Sequence, residues 1–161
     1  MRVFTFIIFF ARVQHMTWHT HSIQEFSRAV KELFQNILDR ADHEQALIIT
    51  LTGDLGAGKT TMTQIIAQFL GVSETVQSPT FVIKKNYSID YMHYKTLVHI
   101  DAYRLEGEKN INVFRFEEDM HDPEKIVIIE WSEFIADILP EKRFSVSIES
   151  ISENERIISL Q

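Results

Sequence analysis

The sequence GDLGAGKTT at residues 53–61 fits the pattern GxxxxGK(S/T). In such a loop, glycines let successive backbone N–H groups point at an anionic phosphate chain, and the helix that follows adds the positive end of its dipole. The lysine, here Lys59, reaches the β and γ phosphates, and the hydroxyl of Thr60 is offered to Mg²⁺. These nine residues therefore predict a binding site for a nucleoside triphosphate.

The segments on both sides of this loop fit its usual structural context. Residues 46–51 (ALIITL) are a short apolar run rich in β-branched residues, which is typical of a strand covered on both faces. After the loop, apolar residues recur at the spacing of one helical face and Gly71 provides a C-terminal cap; the apolar residues are Met62, Ile65, Ile66, Phe69 and Leu70. Strand, glycine loop and helix in this order predict an α/β fold.

Composition limits the classes of protein to which the chain can belong. It has 161 residues, 45% of them hydrophobic and 24% charged, which suits a single globular domain. It contains no cysteine, so disulfides and cysteine-ligated zinc are excluded, and a reducing, cytoplasmic location is expected. A formal net charge of −7 argues against a protein that grips nucleic acid alone, since phosphate neutralisation needs a basic face.

Residues 1–21 are expected to be an N-terminal extension, flexible or arising from a mis-annotated start, in front of a single domain at residues 22–161. The apolar run at residues 3–11 is too short to cross a bilayer, which needs about 20 residues, and no membrane partner is expected. Translation from Met16 and an interfacial anchor both stay open as explanations of this run.

Three histidines in the extension, His15, His19 and His21, invite the hypothesis of a metal site. No carboxylate cluster accompanies them in the sequence, so a mobile tail is the preferred interpretation.

Two further patterns predict the first and last elements of the domain. Ser22 and Glu25 form a capping box at the start of an amphipathic helix. The apolar face of this helix is Phe26, Ala29, Val30, Leu33, Phe34, Ile37 and Leu38. Near the C-terminus, alternating apolar residues from Phe144 to Ile148 and again from Ile157 to Leu160 flank a polar turn and predict a hairpin.

A loop at residues 77–81 (QSPTF) is expected to lead into a strand at residues 81–85 or beyond, because Pro79 restricts Ser78 to extended conformations. The hydroxyls of Ser78 and Thr80 have two equally weighted interpretations, a simple turn or a loop that senses a γ phosphate. A hairpin is expected next, with its second strand at the apolar residues 97–100.

Two acids follow apolar runs that predict strands. Asp101 is a candidate for contact with the metal or the attacking water, whereas Arg104 would contact phosphate or pair with an acid. Glu130 ends the run IVIIE, and the carboxyl ends of parallel strands share the edge where ligands bind. Glu130 is therefore expected to project toward phosphates held by Lys59, where it would hold Mg²⁺ or orient the nucleophile. Trp131 would wall the site or pack an interface.

Four strings together resemble one family: GDLGAGKTT, SPTF, HIDAYRL and IIIEW, followed by Arg156 in the last predicted hairpin. Over roughly residues 22–160 the chain is similar to TsaE (formerly YjeE), a family of small bacterial P-loop ATPases of threonylcarbamoyladenosine biosynthesis in tRNA. With the patterns above, we expect a three-layer sandwich of the P-loop NTPase type, with a central, mostly parallel sheet, antiparallel hairpins and flanking helices. The resemblance implies an ATPase, slow alone, that uses ATP and Mg²⁺, acts with TsaD and TsaB, and reaches tRNA only through them.

The resemblance also implies roles for individual residues that match the family's motifs. Thr60 and Glu130 are the implied Mg²⁺ ligands, and Lys59, Thr80, Asp101 and Glu130 are the implied catalytic groups. The implied ATP-binding residues are Gly53, Asp54, Leu55, Gly56, Ala57, Gly58, Lys59, Thr60, Thr61 and Arg156.

The chain departs from the family in three places. First, Phe26-Ser27 stands where many members carry a threonine that is thought to contact the nucleotide. Second, a Leu-Gly pair that members usually have is missing near Arg115-Phe116. Third, the N-terminal extension is foreign to the family.

Two other functions stay open from sequence. A small P-loop kinase that phosphorylates a metabolite usually has an arginine-rich lid and a substrate-binding insertion, for which this chain offers few arginines and little length. In a nucleotide-gated adaptor, ATP would order a partner-binding loop and turnover would be incidental.

Overall fold

A computed structural model describes residues 15–108 and 115–161, which form one seven-stranded sheet with helices on both faces. The strands are β1 (Met16–Thr20), β2 (Leu47–Thr52), β3 (Lys84–Tyr91), β4 (Tyr94–Asp101), β5 (Lys125–Glu130), β6 (Phe144–Ser150) and β7 (Arg156–Leu160). The α-helices are α1 (Ile23–Arg40), α2 (Lys59–Phe69) and α3 (Phe116–Met120), and two 3-10 segments lie at Tyr103–Leu105 and Ser132–Ile138. The apolar run at residues 3–11 lies outside the described residues.

The order of strands across the sheet is β1-β7-β6-β2-β5-β4-β3. In its centre, β2 pairs in parallel with β5 and β6, and β5 pairs in parallel with β4. Antiparallel pairs flank this centre on both sides, β3 with β4 on one and β7 with β6 and β1 on the other. The prediction of a mostly parallel sheet with antiparallel hairpins is confirmed.

Each face of the sheet is covered by its own hydrophobic cluster. Because side chains alternate along a strand, Ile49 and Leu51 of β2 pack with α1 and α2 on one face, whereas Ile48 faces the other side. That second cluster includes Phe116 of α3 and Ile135 of the second 3-10 segment. The two clusters make the three layers of the predicted sandwich. Among the described residues, no helix combines the length and the apolar character that crossing a membrane requires.

The start of α1 follows the predicted capping box. The Glu25 backbone N–H donates to Ser22 Oγ at 3.2 Å, and the His21 backbone N–H donates to Glu25 Oε2 at 2.8 Å. All seven apolar residues predicted for the inner face of this helix are buried. Local sequence therefore fixes both where α1 begins and which side faces the sheet.

Part of the predicted N-terminal extension belongs to the sheet, which corrects the expectation of a flexible segment for residues 16–20. β1 pairs antiparallel with β7 along its whole length, from Met16 opposite Leu160 to Thr20 opposite Arg156. Trp18 packs against the core, and the ring of His21 contacts Glu155, with 3.1 Å between Nδ1 and Oε1. The last strand of the domain offers an open edge that these residues close.

The strand predicted at residues 81–85 begins later, at Lys84. The carbonyl oxygen of Pro79 accepts hydrogen bonds from the backbone N–H groups of Val82 and Ile83, at 2.9 and 2.5 Å. This turn holds the Phe81 side chain in solvent, 88% exposed. The apolar residues after Pro79, at positions 81–83, therefore form a turn and lie outside β3.

Candidate functional site

The glycine loop, residues 53–58, connects β2 to α2 at the carboxyl edge of the sheet. Gly58 caps α2 with a φ of 117°, a region that favours glycine. Gly53 has a φ of 140°, and a Cβ there would lie 2.2 Å from the carbonyl oxygen of Ile148 in β6. Gly58 is therefore required by the backbone conformation at the start of α2. Gly53 is required because the loop packs closely on β6 at this position.

Lys59, the first residue of α2, points its ammonium back into the glycine loop. Nζ donates hydrogen bonds to the carbonyl oxygens of Gly53 at 2.6 Å and Asp54 at 2.9 Å, and lies 3.6 Å from the centre of the Trp131 ring. The residue is only 5% exposed, and among the described residues no carboxylate lies within ion-pair distance of Nζ. Burial lowers the pKa of this ammonium, although nearby acids, Glu130 foremost, oppose the shift. A buried cation without a contacting anion suits an anionic ligand.

Glu130 reaches the start of α2 from the end of β5. In the sheet, its Cα is paired with Leu51 of β2 on one side and with Asp101 of β4 on the other. Its Oε2 accepts a hydrogen bond from Thr60 Oγ1 at 2.8 Å, and the residue is 2% exposed. The structure thus brings together Lys59, Thr60 and Glu130, as the strand-edge argument predicts; their roles toward a ligand stay predictions.

Asp101 ties the loop at residues 77–81 to the same edge of the sheet. Its Oδ2 accepts hydrogen bonds from Ser78 Oγ at 2.6 Å and from Thr80 Oγ1 at 2.5 Å, while Oδ1 accepts from the Tyr103 backbone N–H at 3.0 Å. The sequence left two interpretations of this loop, a simple turn and a loop that senses a γ phosphate. In the structure, the loop is a turn after Pro79, and it also presents the hydroxyls of Ser78 and Thr80 to the buried carboxylate of Asp101. Both interpretations are compatible with this geometry.

A cleft of about 410 Å³ joins these groups. Its walls include the glycine loop together with Lys59, Thr60, Thr80, Asp101, Glu130 and Trp131. Every residue predicted as a catalytic group or metal ligand therefore lines one cleft.

Trp131 and Arg104 have contacts of different kinds. Trp131 has a φ of 57°, stacks on Phe134 at 5.8 Å between ring centres and contacts Tyr103 at 5.1 Å, so it forms an aromatic wall beside Lys59. Arg104 lies over the exposed ring of Phe81, with 5.8 Å from Cζ to the ring centre. Among the described residues Arg104 forms no ion pair with an acid, and its contact with a phosphate stays a prediction.

Arg156 holds the last hairpin against the glycine loop. Its Nε donates to the Ala57 carbonyl oxygen at 2.9 Å, and its Nη1 donates to the carbonyl oxygens of Ser152 and Glu155 at 2.6 and 2.9 Å. It lines a second cavity, of about 140 Å³, on the outer side of the loop with Phe26 and Asn154. The Phe26 ring lies under Gly58, 3.3 Å from the position of a Cβ there. The first departure from the family therefore alters the wall of this cavity.

His99, for which no role is predicted from sequence, contacts Glu130. Nε2 of His99 lies 2.7 Å from Oε1 of Glu130, and His99 is fully buried. A usable signal exists in the sequence, because His99 lies two residues before Asp101 and so shares its face of β4. His99 is the polar residue within the apolar run at residues 97–100, and a polar side chain there, on the same face as Asp101, is a candidate member of the site.

A strand, a glycine loop, a helix and a facing carboxylate from the next parallel strand define the class of P-loop α/β proteins. The crystal structure of Bacillus subtilis YdiB is similar to this one, with a TM-score of 0.65 and 27% sequence identity, covering 92% of this chain and 85% of that chain.

Sequence comparisons then place the chain within this class. The family model described as "Threonylcarbamoyl adenosine biosynthesis protein TsaE" matches residues 20–158. Proteins named tRNA threonylcarbamoyladenosine biosynthesis protein TsaE from Bacillus subtilis and Rickettsia conorii are each 33% identical to it, covering 91% and 88% of this chain and 85% and 76% of their own. The Haemophilus influenzae protein of that name is 38% identical over 116 residues, covering 72% of this chain and 71% of its own. The chain belongs to the TsaE family of tRNA threonylcarbamoyladenosine biosynthesis.

Proposed function

We propose that this protein binds ATP with Mg²⁺ and hydrolyses it as the ATPase subunit of tRNA threonylcarbamoyladenosine modification. It acts with TsaD and TsaB in the cytoplasm and reaches tRNA only through them. The observation that carries the proposal is the buried Lys59 ammonium, which contacts no carboxylate in the described part of the chain and lies beside the Thr60–Glu130 pair in one cleft. Family membership gives the pathway, and this group of side chains gives the chemistry.

The residues at the cleft fit both proposed ligands. Mg²⁺ prefers hard oxygen ligands, usually one or two protein groups together with phosphate oxygens and water. Thr60 Oγ1 and Glu130 Oε2, which are 2.8 Å apart, provide that kind of donor set. When bound, Mg²⁺ would neutralise charge on the β and γ phosphate oxygens. The smaller cavity beside Phe26, Asn154 and Arg156 opens on the other side of the glycine loop and is our proposed location for the base.

In the proposed reaction, water attacks the γ phosphorus in line and forms a new P–O bond, and the proton that the water loses passes to a phosphate oxygen or to solvent. The bond from that phosphorus to the β–γ bridging oxygen breaks, and its electron pair stays with ADP. Amides of the glycine loop and the Lys59 ammonium stabilise the charge on the phosphoryl oxygens. Thr80 Oγ1 donates to Asp101 and lies 2.6 Å from Ser78 Oγ, so it still has a lone pair that can accept a hydrogen bond from water.

Partner dependence has a physical basis in the cleft. None of the described residues that line it is an arginine. P-loop enzymes commonly use an arginine, in cis or from a partner, to stabilise the transition state, and its absence leaves hydrolysis slow. We therefore propose that TsaD and TsaB complete the site.

The direct test is phosphate release from ATP by the purified chain, alone and with TsaD and TsaB. We expect slow release alone and a marked stimulation when both partners are present. Candidate nucleosides are added in parallel, because ADP formed together with a phosphorylated acceptor would replace this proposal with the kinase alternative. ATP binding with no stimulation of hydrolysis by the partners would instead favour the adaptor.

A further inference from the structure

A buried histidine supports the carboxylate at the centre of the cleft. His99 of β4 is fully buried and Glu130 of β5 is 2% exposed. His99 Nε2 lies 2.7 Å from Glu130 Oε1, which is a hydrogen bond of ordinary length. Since β4 and β5 are adjacent parallel strands, the sheet itself sets the distance between these two side chains.

The hydrogen bonds of the imidazole identify its donor nitrogen. The carboxylate oxygen can only accept, so Nε2 must carry the proton in this contact. In the described part of the chain, Nδ1 of His99 is buried with no hydrogen-bond partner. A proton on Nδ1 would be an unsatisfied buried donor, which is unfavourable, so the tautomer with hydrogen on Nε2 alone fits the site.

The two oxygens of Glu130 face different partners. Oε1 takes the His99 hydrogen bond, with Thr63 Oγ1 at a longer 3.5 Å, whereas Oε2 takes the hydrogen bond of Thr60. The contact with His99 therefore fixes the plane of the carboxylate while leaving Oε2 directed at Thr60. Hydrogen bonds to the rear of a ligating carboxylate orient it and set its affinity for metal.

We propose that His99 is a positioning residue that holds Glu130 for Mg²⁺ in the nucleotide complex, an inference that rests on the proposed function. It does not touch the nucleotide. Its loss leaves the glycine loop and Lys59 in place but lets the Glu130 carboxylate rotate away from Thr60.

Three substitutions separate positioning from simple packing. His99→Gln places an amide N–H near the position of Nε2, His99→Asn carries the same group but is too short to reach Glu130, and His99→Leu has no donor. The first measurement is the Mg²⁺ concentration that half-saturates binding of a fluorescent ATP analogue. We expect it to rise about 10–100-fold in His99→Leu and His99→Asn, and to stay within about threefold of wild type in His99→Gln. Binding of the same analogue with EDTA should be unchanged in all three, because it depends on the glycine loop and Lys59.

A second measurement needs neither nucleotide nor activity. In ¹H–¹⁵N spectra of the imidazole of the wild-type chain, His99 should carry its proton on Nε2 and have a bare Nδ1. An Nε2 without a proton would overturn the inference, as would an unchanged Mg²⁺ requirement in a folded His99→Leu or His99→Asn variant. If His99→Leu fails to fold, the Mg²⁺ requirements of His99→Gln and His99→Asn are compared with each other. Equal requirements of these two variants would overturn the inference.

Failure of the inference and failure of the proposed function give different results. If the wild-type chain binds the analogue with no dependence on Mg²⁺, the proposed metal site is wrong, and the proposed role of His99 is wrong as well. If wild type and the His99 variants share one Mg²⁺ dependence, only the positioning role is wrong.

Discussion

Lys59 has unfavourable electrostatic surroundings, because its ammonium is buried and contacts carbonyl oxygens and an aromatic ring but no carboxylate of the described residues. Such a site is costly in the free protein and favourable once an anion enters it. The protein thus gives up some stability in the ligand-free state to keep a charge available for phosphate.

This cost predicts a pH dependence of stability. Burial lowers the pKa of Lys59 below its ordinary 10.5, so between the folded pKa and 10.5 the unfolded chain binds more protons than the folded chain. In that window the free energy of unfolding of ligand-free wild type should rise with pH relative to Lys59→Met, and above about 10.5 the two should run parallel. Urea denaturation at several alkaline pH values measures both curves; a constant difference across the whole range would contradict this explanation.

Glu130 should separate nucleotide binding from hydrolysis. In Glu130→Gln, the side chain keeps its volume but loses the charge that faces Thr60. We expect ATP binding in EDTA to be retained, and phosphate release with TsaD and TsaB to fall at least about 100-fold, as when one stabilising group is removed from a catalytic site. Asp137→Asn is the matched control, since it removes one negative charge from an exposed residue of the following 3-10 segment. Equal hydrolysis by Glu130→Gln and the control would remove Glu130 from the mechanism.

At the scale of elements, α1 carries the wall of the smaller cavity, and its first turn is held by the Ser22–Glu25 capping box. Ser22→Ala removes the side-chain acceptor for the Glu25 backbone N–H and should lower the free energy of unfolding by about 1 kcal/mol. Ser27→Ala is the same substitution inside the helix, where alanine is the better helix former, and should not destabilise. Urea denaturation of both variants tests this, and equal stability of the two would refute the role of the cap.

Elements whose signal is local could be predicted from the sequence. The apolar stripe of α1 and the alternating strands of the terminal hairpin depend on residues within one element, and the structure confirms both. β1 could not be predicted this way, because Met16 pairs with Leu160 at the other end of the chain. The position of Phe81 was missed because its apolar, strand-like sequence is overruled by the backbone hydrogen bonds to Pro79.

The candidate site could be predicted to a similar degree. The glycine loop is contiguous in sequence, and Glu130 and Asp101 each end an apolar strand, so their meeting at one edge follows from parallel pairing. The contact of His99 with Glu130 depends on register between two strands, which the sequence alone does not state. The contacts of Arg156 with backbone carbonyls likewise depend on how the last hairpin meets the glycine loop.

At the scale of the whole molecule, β1 is the outermost strand on one side of the sheet and pairs with β7, which would otherwise be the edge strand. A chain that begins at Met16 keeps this strand and is the reference. A chain that begins at Ser22 lacks it, exposes the edge of β7 and removes the packing of Trp18, so it should lose at least about 2 kcal/mol. Thermal unfolding of the two truncated chains measures the difference, and similar midpoints for both would mean that β1 adds no stability.

The same sheet joins distant parts of the sequence into one cleft, with β2, β4 and β5 ending side by side and the last hairpin held to the glycine loop by Arg156. The central claim is that this edge binds the triphosphate of ATP through Lys59. Calorimetric titration of Mg·ATP into wild type and Lys59→Met tests it most directly. We expect saturable binding by wild type and affinity at least about 100-fold weaker in Lys59→Met, since charge-assisted hydrogen bonds to phosphate are lost. Equal affinity of the two folded proteins would contradict the proposed site.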